Sequence, residues 1–273
     1  MSRFDEIVEG YKPKTDEDLC NAQREVMQKV ALAGLRRGGF FKYAAFYGGT
    51  CLRIFHGLRR YSEDMDFSLI EKNSDIHIED FFQPVVEEFD SVGMPVMITK
   101  KEKKKFGGVE SAFLKENTET YDLKFQTHKT LKVKLELDTD PPLRFSTEQR
   151  LIVEPYSFSV NCFVLPDLFA GKMHALVYRS WQRRVKGRDW YDFEWYVKKR
   201  IPLNFSHLSE RIREFNNADV SKEQFMQTLK ERLMKADIEL VKQDVLPYVE
   251  DSRDLEIWSN EYFVQLADLM VVE

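Results

Sequence analysis

Residues 16–37 carry Leu19, Val26, Val30 and Leu35 at helical spacing, and Gly38-Gly39 follows, so a helix is expected to end at that pair. The next segment, FFKYAAFYGGTCLRIFHG, predicts a short aromatic strand, a break at Gly48-Gly49 and a helix starting near Thr50. Residues 61–70 (YSEDMDFSLI) predict a strand, and 76–92 suit a helix with Pro84 as a point of interruption. The runs PVMITKK, ESAFLKENT, YDLKFQT and LKVKLELDT predict further strands, closed by Pro141-Pro142. In the last run the alternation is strict. Leu131, Val133, Leu135 and Leu137 share one face, and Lys132, Lys134, Glu136 and Asp138 share the other. Beyond Pro166 the pattern turns helical to the C-terminus. The expectation is an α+β chain: a mixed sheet flanked by helices over residues 1–165, then a mainly helical domain over 166–273. No internal repeat or low-complexity tract interrupts it.

Composition narrows the classes. Of the 273 residues 43% are hydrophobic and 32% charged, ordinary for a globular chain. No stretch approaches the roughly 20 apolar residues of a membrane helix. The N-terminal segment MSRFDEIVEG is charged and lacks the apolar core of a signal peptide. Cys20, Cys51 and Cys162 lie far apart, which argues against a disulfide framework or a zinc ribbon and predicts a cytoplasmic protein. A net charge of -5 is wrong for coating nucleic acid by bulk charge, though it leaves room for a local basic groove. Lys100 to Lys105 is expected to be a solvated hairpin tip, whereas Arg179 to Arg200 carries eight basic residues against three acidic ones. No GxSxG elbow or GxxxxGK[ST] loop occurs, so a serine hydrolase and a P-loop NTPase are poorly supported. The five histidines show no metal-ligand spacing, and Trp181, Trp190, Tyr191 and Trp195 are expected in the core.

The candidate chemistry starts at Gly48-Gly49-Thr50. A helix that opens on two glycines exposes backbone N–H groups to an anion, and Thr50 adds a hydroxyl. The same residues also suit a plain turn with a helix cap. Asp64 and Asp66, two apart on a strand, point the same way while Met65 and Phe67 face the core. Carboxylates that close call for a cation, and hard oxygen donors suit Mg²⁺ beside substrate phosphates. Glu136 on its alternating strand is available as a third acid. Lys172 and Arg179 share a helix face, and Asp189 and Asp192 are neighbours three apart. Together with Arg188 they can form internal salt bridges or hold a triphosphate.

Taken in order, these pieces resemble the AbiEii/AbiGii-type nucleotidyltransferase toxins of the polymerase-β-like superfamily. The resemblance rests on Gly48-Gly49-Thr50-Cys51-Leu52-Arg53, Arg60-Tyr61-Ser62-Glu63-Asp64-Met65-Asp66-Phe67, the strand Val133 to Leu137, Asp167 to Leu176, and Lys186-Gly187-Arg188-Asp189-Trp190-Tyr191-Asp192. It covers residues 44–197, and residues 200–273 match nothing. The resemblance implies transfer of a nucleoside monophosphate from an NTP to an acceptor (RNA, with the 3′ end of tRNA as one candidate, or protein), and a cognate antitoxin. By position, Asp64, Asp66 and Glu136 would bind two Mg²⁺, and Lys172 would contact phosphate. Gly48, Gly49, Thr50, Arg53, Ser62, Lys134, Asp189 and Asp192 complete the implied nucleotide-binding set. Glu136 stands where many polymerase-like enzymes keep an aspartate. A metal-dependent nuclease and a non-catalytic nucleotide-binding protein are the competing readings.

Overall fold

The computed structural model describes residues 1–101, 118–126, 131–154, 156–179 and 185–273. Helices α1 (Arg3–Glu9) and α2 (Asp16–Arg37) both open on capping boxes, from Ser2 and Thr15. Val26, Val30 and Leu35 of α2 are buried, whereas Leu19 in its first turn is exposed. The aromatic run after Gly39 divides. Phe40–Lys42 forms a turn of 3-10 helix and only Ala44–Tyr47 (β1) is extended. Helix α3 (Gly48–His56) starts at Gly48, two residues earlier than the sequence predicts.

Strand β2 (Asp64–Leu69) is followed by a 3-10 turn, Ile78–Phe81, and by α4 (Phe82–Ser91). Pro84 does not interrupt α4: it lies in the first turn, where its missing N–H has no intrahelical partner to lose. Strands β3 (Val96–Lys100), β4 (Thr118–Phe125) and β5 (Lys132–Asp138) follow. Of the expected strand ESAFLKENT only Thr118 is described, and Glu102 to Lys105, His128 and Trp181 also lie outside the described residues. Two strands had no sequence signal, β6 (Thr147–Ile152) and β7 (Phe158–Phe163). The cause is visible in β6: it is an edge strand whose Thr147, Gln149 and Leu151 face solvent, so no apolar alternation marks it.

Among the described residues seven strands run in the order β3-β4-β5-β2-β1-β7-β6. Strands β2 and β5 are parallel neighbours, with Asp64 opposite Lys134 and Asp66 opposite Glu136. Phe46, Met65, Phe67, Val133, Leu135 and Leu137 are buried on one face, over α2. Tyr47, Asp64, Asp66 and Glu136 therefore point to the other. After β7 the chain is helical: α5 (Leu165–Tyr178), α6 (Gly187–Lys198), α7 (Phe205–Asn216), α8 (Lys222–Lys235), α9 (Ile238–Val245) and α10 (Asn260–Asp268). The change from strand to helix falls between Phe163 and Leu165, yet one apolar cluster runs through both halves. The segment after α9 returns to the sheet region, where Val249 bridges Arg60 and the Tyr61 N–H donates to the Tyr248 carbonyl at 2.8 Å.

Candidate active site

The acidic face is set by strand register. Because β2 and β5 pair in parallel, Asp66 and Glu136 stand side by side, and Asp64 lies one step along beside Lys134. The Lys134 ammonium is 3.1 Å from Asp64 Oδ2 and 3.0 Å from Glu136 Oε1. Burial works against that charge, but Glu136 and Asp64 outweigh it and hold Lys134 protonated, above its ordinary range. Asp66 is in the reverse position: burial, then the charges of Glu136 and Asp64, push its carboxyl up to about 7.

Gly48 and Gly49 have a structural reason beyond phosphate approach. Gly48 has φ +82°, and a Cβ there would lie 2.1 Å from Asp66 Oδ2. A Cβ on Gly49 would lie 2.8 Å from Arg60 Nη2 and 2.9 Å from Ser62 Oγ. The glycines thus let α3 begin against the Asp66 carboxylate. No side chain caps α3, which leaves its first N–H groups without a side-chain acceptor. Thr50 is buried and its hydroxyl donates to the Asp64 carbonyl, so this group fixes β2 against α3 rather than standing free toward an anion.

Facing the acids are cations from the helical half. Lys172 on α5 lies 2.6 Å from Asp192 Oδ2 and 3.6 Å from Asp189 Oδ1, and its charge reaches Asp66. Arg179 lies 3.1 Å from Asp189 Oδ2. Asp192 is fully buried, and the Arg60 guanidinium grips both its oxygens at 2.6 Å. Burial would raise Asp192, but Arg60 and Lys172 override it and hold the carboxyl below its usual range. The two aspartates thus orient cations, and Asp192 has no surface left for a ligand. Arg53 is likewise engaged inside the fold, at 3.0 Å from Glu25, 2.6 Å from Glu250 and stacked on Tyr61.

Sequence reasoning gave no role to Lys186, although it opens a quoted motif. Its partly buried ammonium is lowered by burial first, then by Arg179, and Arg188 and Lys172 add to this, so four cations converge here. Tyr47, which precedes the glycine pair, has no role in the sequence pattern either; it extends the acidic face, stacks on Phe163 at 5.2 Å and feels the charges of Asp66, Asp138 and Glu136. Only the strand register to Asp66 could have revealed it. The C-terminal segment closes one edge through the Tyr248 hydroxyl, 3.0 Å from Glu63 Oε2, which Arg188 also approaches at 3.6 Å.

The residues present fit a divalent ion by their chemistry. Three oxygen acids share one face of adjacent strands, and two of them, Asp64 and Glu136, hold a stand-in cation, the Lys134 ammonium. Among the described residues no three acids, histidines or cysteines are drawn close enough to cage an ion in this arrangement.

The structure thus sets a Gly-Gly helix start beside paired strand aspartates, with a third acid in register. The family model described as "Nucleotidyl transferase AbiEii toxin, Type IV TA system" matches residues 30–265, and the chain belongs to this nucleotidyltransferase toxin family. The match reaches well past the motifs at 44–197 and takes in most of the C-terminal helices. Among solved structures the chain is similar to MenT4, a nucleotidyltransferase toxin from Mycobacterium tuberculosis H37Rv, with a TM-score of 0.62 at 14% identity over 98% of this chain and 89% of that one. It is also similar to JHP933 from Helicobacter pylori, with a TM-score of 0.46 at 15% identity over 91% and 90% of the two chains. No curated protein matches by sequence. Among the described residues no helix is long and apolar enough to cross a membrane.

Proposed function

We propose that this protein transfers a nucleoside monophosphate from an NTP to an RNA acceptor, the 3′ end of tRNA being the first to test. We further propose that it works with Mg²⁺ in the cytoplasm and is restrained by a cognate antitoxin. The observation that carries this reading is the in-register placement of Asp64, Asp66 and Glu136 opposite the Lys172 group. In the transfer an acceptor hydroxyl loses its proton to solvent as its oxygen bonds to the α-phosphorus, the bond from that phosphorus to the bridging oxygen breaks, and pyrophosphate leaves. Asp64, Asp66 and Glu136 would hold two Mg²⁺, which when bound neutralise charge on the attacking and leaving oxygens. The α3 N-terminus and the cations Lys172, Arg179, Lys186 and Arg188 bind and orient the triphosphate, and the same cations receive the pyrophosphate charge. Asp189 and Asp192 position Lys172, while Arg60 fixes Asp192. Thr50 and Ser62 hold the strand–helix junction, and Arg53 ties α3 to α2 and the C-terminal segment. The domain boundary belongs near residue 165, with the site between the two parts.

Incubation of the purified protein with total RNA, Mg²⁺ and each α-labelled NTP tests the reading. Label should enter a discrete RNA band and vanish with Asp64→Asn. Label on protein would move the acceptor, shortened RNA without label would favour a nuclease, and NTP binding without label anywhere would overturn transfer.

A further inference from the structure

We infer that Lys134 is a built-in counter-cation, an ammonium that occupies the divalent-ion position in the nucleotide-free protein and makes ion binding depend on the nucleotide. This rests on the metal-site reading above and adds a property to it. Lys134 and Glu136 are two apart on β5, so they share a face, and the register sets Lys134 directly opposite Asp64. Its Nζ bridges the two strands, 3.1 Å from Asp64 Oδ2 and 3.0 Å from Glu136 Oε1. Among the described residues no other cation comes within ion-pair distance of either acid. Three carboxylates on adjacent strands repel one another, and a lysine ammonium, with three donors and a single charge, relieves that repulsion only in part.

The consequence follows from competition for the same oxygens. A free divalent ion must push the Lys134 ammonium off both acids and leave it partly buried beside a second positive charge. An ion arriving with a triphosphate brings phosphate oxygens that accept the displaced ammonium. Ion and nucleotide are therefore expected to bind with positive and reciprocal coupling. Lys134 acts here as a positioning residue: it sets when the site takes up an ion, and the acids still bind it.

The test is Mn²⁺ binding, followed by the loss of the free-ion electron paramagnetic resonance signal. Titrations use the wild type, Lys134→Met and Lys134→Arg, without nucleotide and then with α,β-methylene analogues of the four NTPs in turn. The wild type should bind Mn²⁺ weakly alone and much more tightly with an analogue. Lys134→Met should bind Mn²⁺ alone about tenfold more tightly than the wild type and lose most of the nucleotide-dependent gain. Lys134→Arg, which keeps the charge, should resemble the wild type. The thermal midpoint of Lys134→Met should fall in chelator and recover on adding Mn²⁺; Lys134→Gln replaces it if the Met variant does not fold. Equal nucleotide-free affinities in wild type and Lys134→Met would overturn this inference alone. No bound Mn²⁺ in any variant, with or without analogue, would overturn the metal-site reading and this inference with it.

Discussion

At Gly48 backbone and carboxylate compete for the same space. The residue has a left-handed φ of +82°, and an added Cβ would overlap Asp66 Oδ2 at 2.1 Å. Gly48→Ala should therefore displace Asp66 and cost about 1–3 kcal/mol of stability, together with most of the transferase activity. Urea unfolding and the RNA-labelling assay read the two effects separately; an active, fully stable Ala variant would refute the close approach. Asp66 itself gives a prediction of opposite sign. Its carboxyl titrates near 7 in the folded protein against 3.8 ordinarily, because burial and two neighbouring acids penalise its charge. A raised carboxyl contributes stability at low pH that is lost as pH climbs through 7. Asp66→Asn should thus raise the thermal midpoint in chelator at pH 8, raise it by less than half as much at pH 5, where only part of the window from 3.8 to about 7 has been crossed, and abolish labelling. A lowered midpoint at pH 8 would mean that Asp66 is held by attractions rather than strained by repulsion.

Among the elements, those with local signals were legible and those made by distant pairing were not. The end of α2 at Arg37, the period of two in β5 and the inward Met65 and Phe67 follow from side-chain spacing alone. So does the grouping of Asp64 with Asp66. The step that brings Glu136 to Asp66 is a parallel pairing of strands far apart in sequence, which no local pattern encodes. The alternating strand offered Glu136 as a third acid and the family resemblance gave it that role, but neither carried the register itself. The ion pair between Arg60, before β2, and Asp192, on α6, was hidden for the same reason, although both residues stood in quoted motifs. That pair ties the two halves together behind the site. Truncating one partner leaves a buried charge in its place, so Arg60→Ala should destabilise by about 3–5 kcal/mol. Replacing both partners with apolar residues, as in Arg60→Met with Asp192→Leu, should recover part of the loss, since the buried carboxylate left with Lys172 alone is then gone. It should not restore activity, because Lys172 would lose the Asp192 oxygen that holds it at 2.6 Å. Urea unfolding of the single and double variants checks the sign. A double variant less stable than Arg60→Ala would show that the pair is net stabilising rather than merely costly to break.

For the whole molecule, acidification sets two groups of residues against each other. His174 and His207 are fully buried and titrate near 3, and His56 near 4, all lowered first by burial. Arg211 adds repulsion at His174 and His207, and Arg150 at His56. The His207 Nδ1 lies 3.0 Å from the Leu143 carbonyl with its ring edge-on to Phe145 and Phe163, a setting with no room for a second charge. Unfolded, these rings protonate below about 6.5, so the unfolded state binds more protons and stability falls as pH drops. Each ring contributes a slope of up to about 1.4 kcal/mol per pH unit from 6.5 down to its folded pKa. Asp66 and Asp167, both raised chiefly by burial, work the other way across part of the same range, but as two groups against three. The net expectation for metal-free protein is a steep loss of stability between pH 6.5 and 4.5. His207→Gln should flatten that slope by about one proton while lowering stability at pH 8, where its packing between the phenylalanines is lost. Urea midpoints taken at half-unit steps from pH 4.5 to 8 measure both. If the wild-type curve is flat over that interval, the buried histidines are not held neutral by the fold; if only the His207→Gln curve is unchanged, that ring already carries its proton at neutral pH.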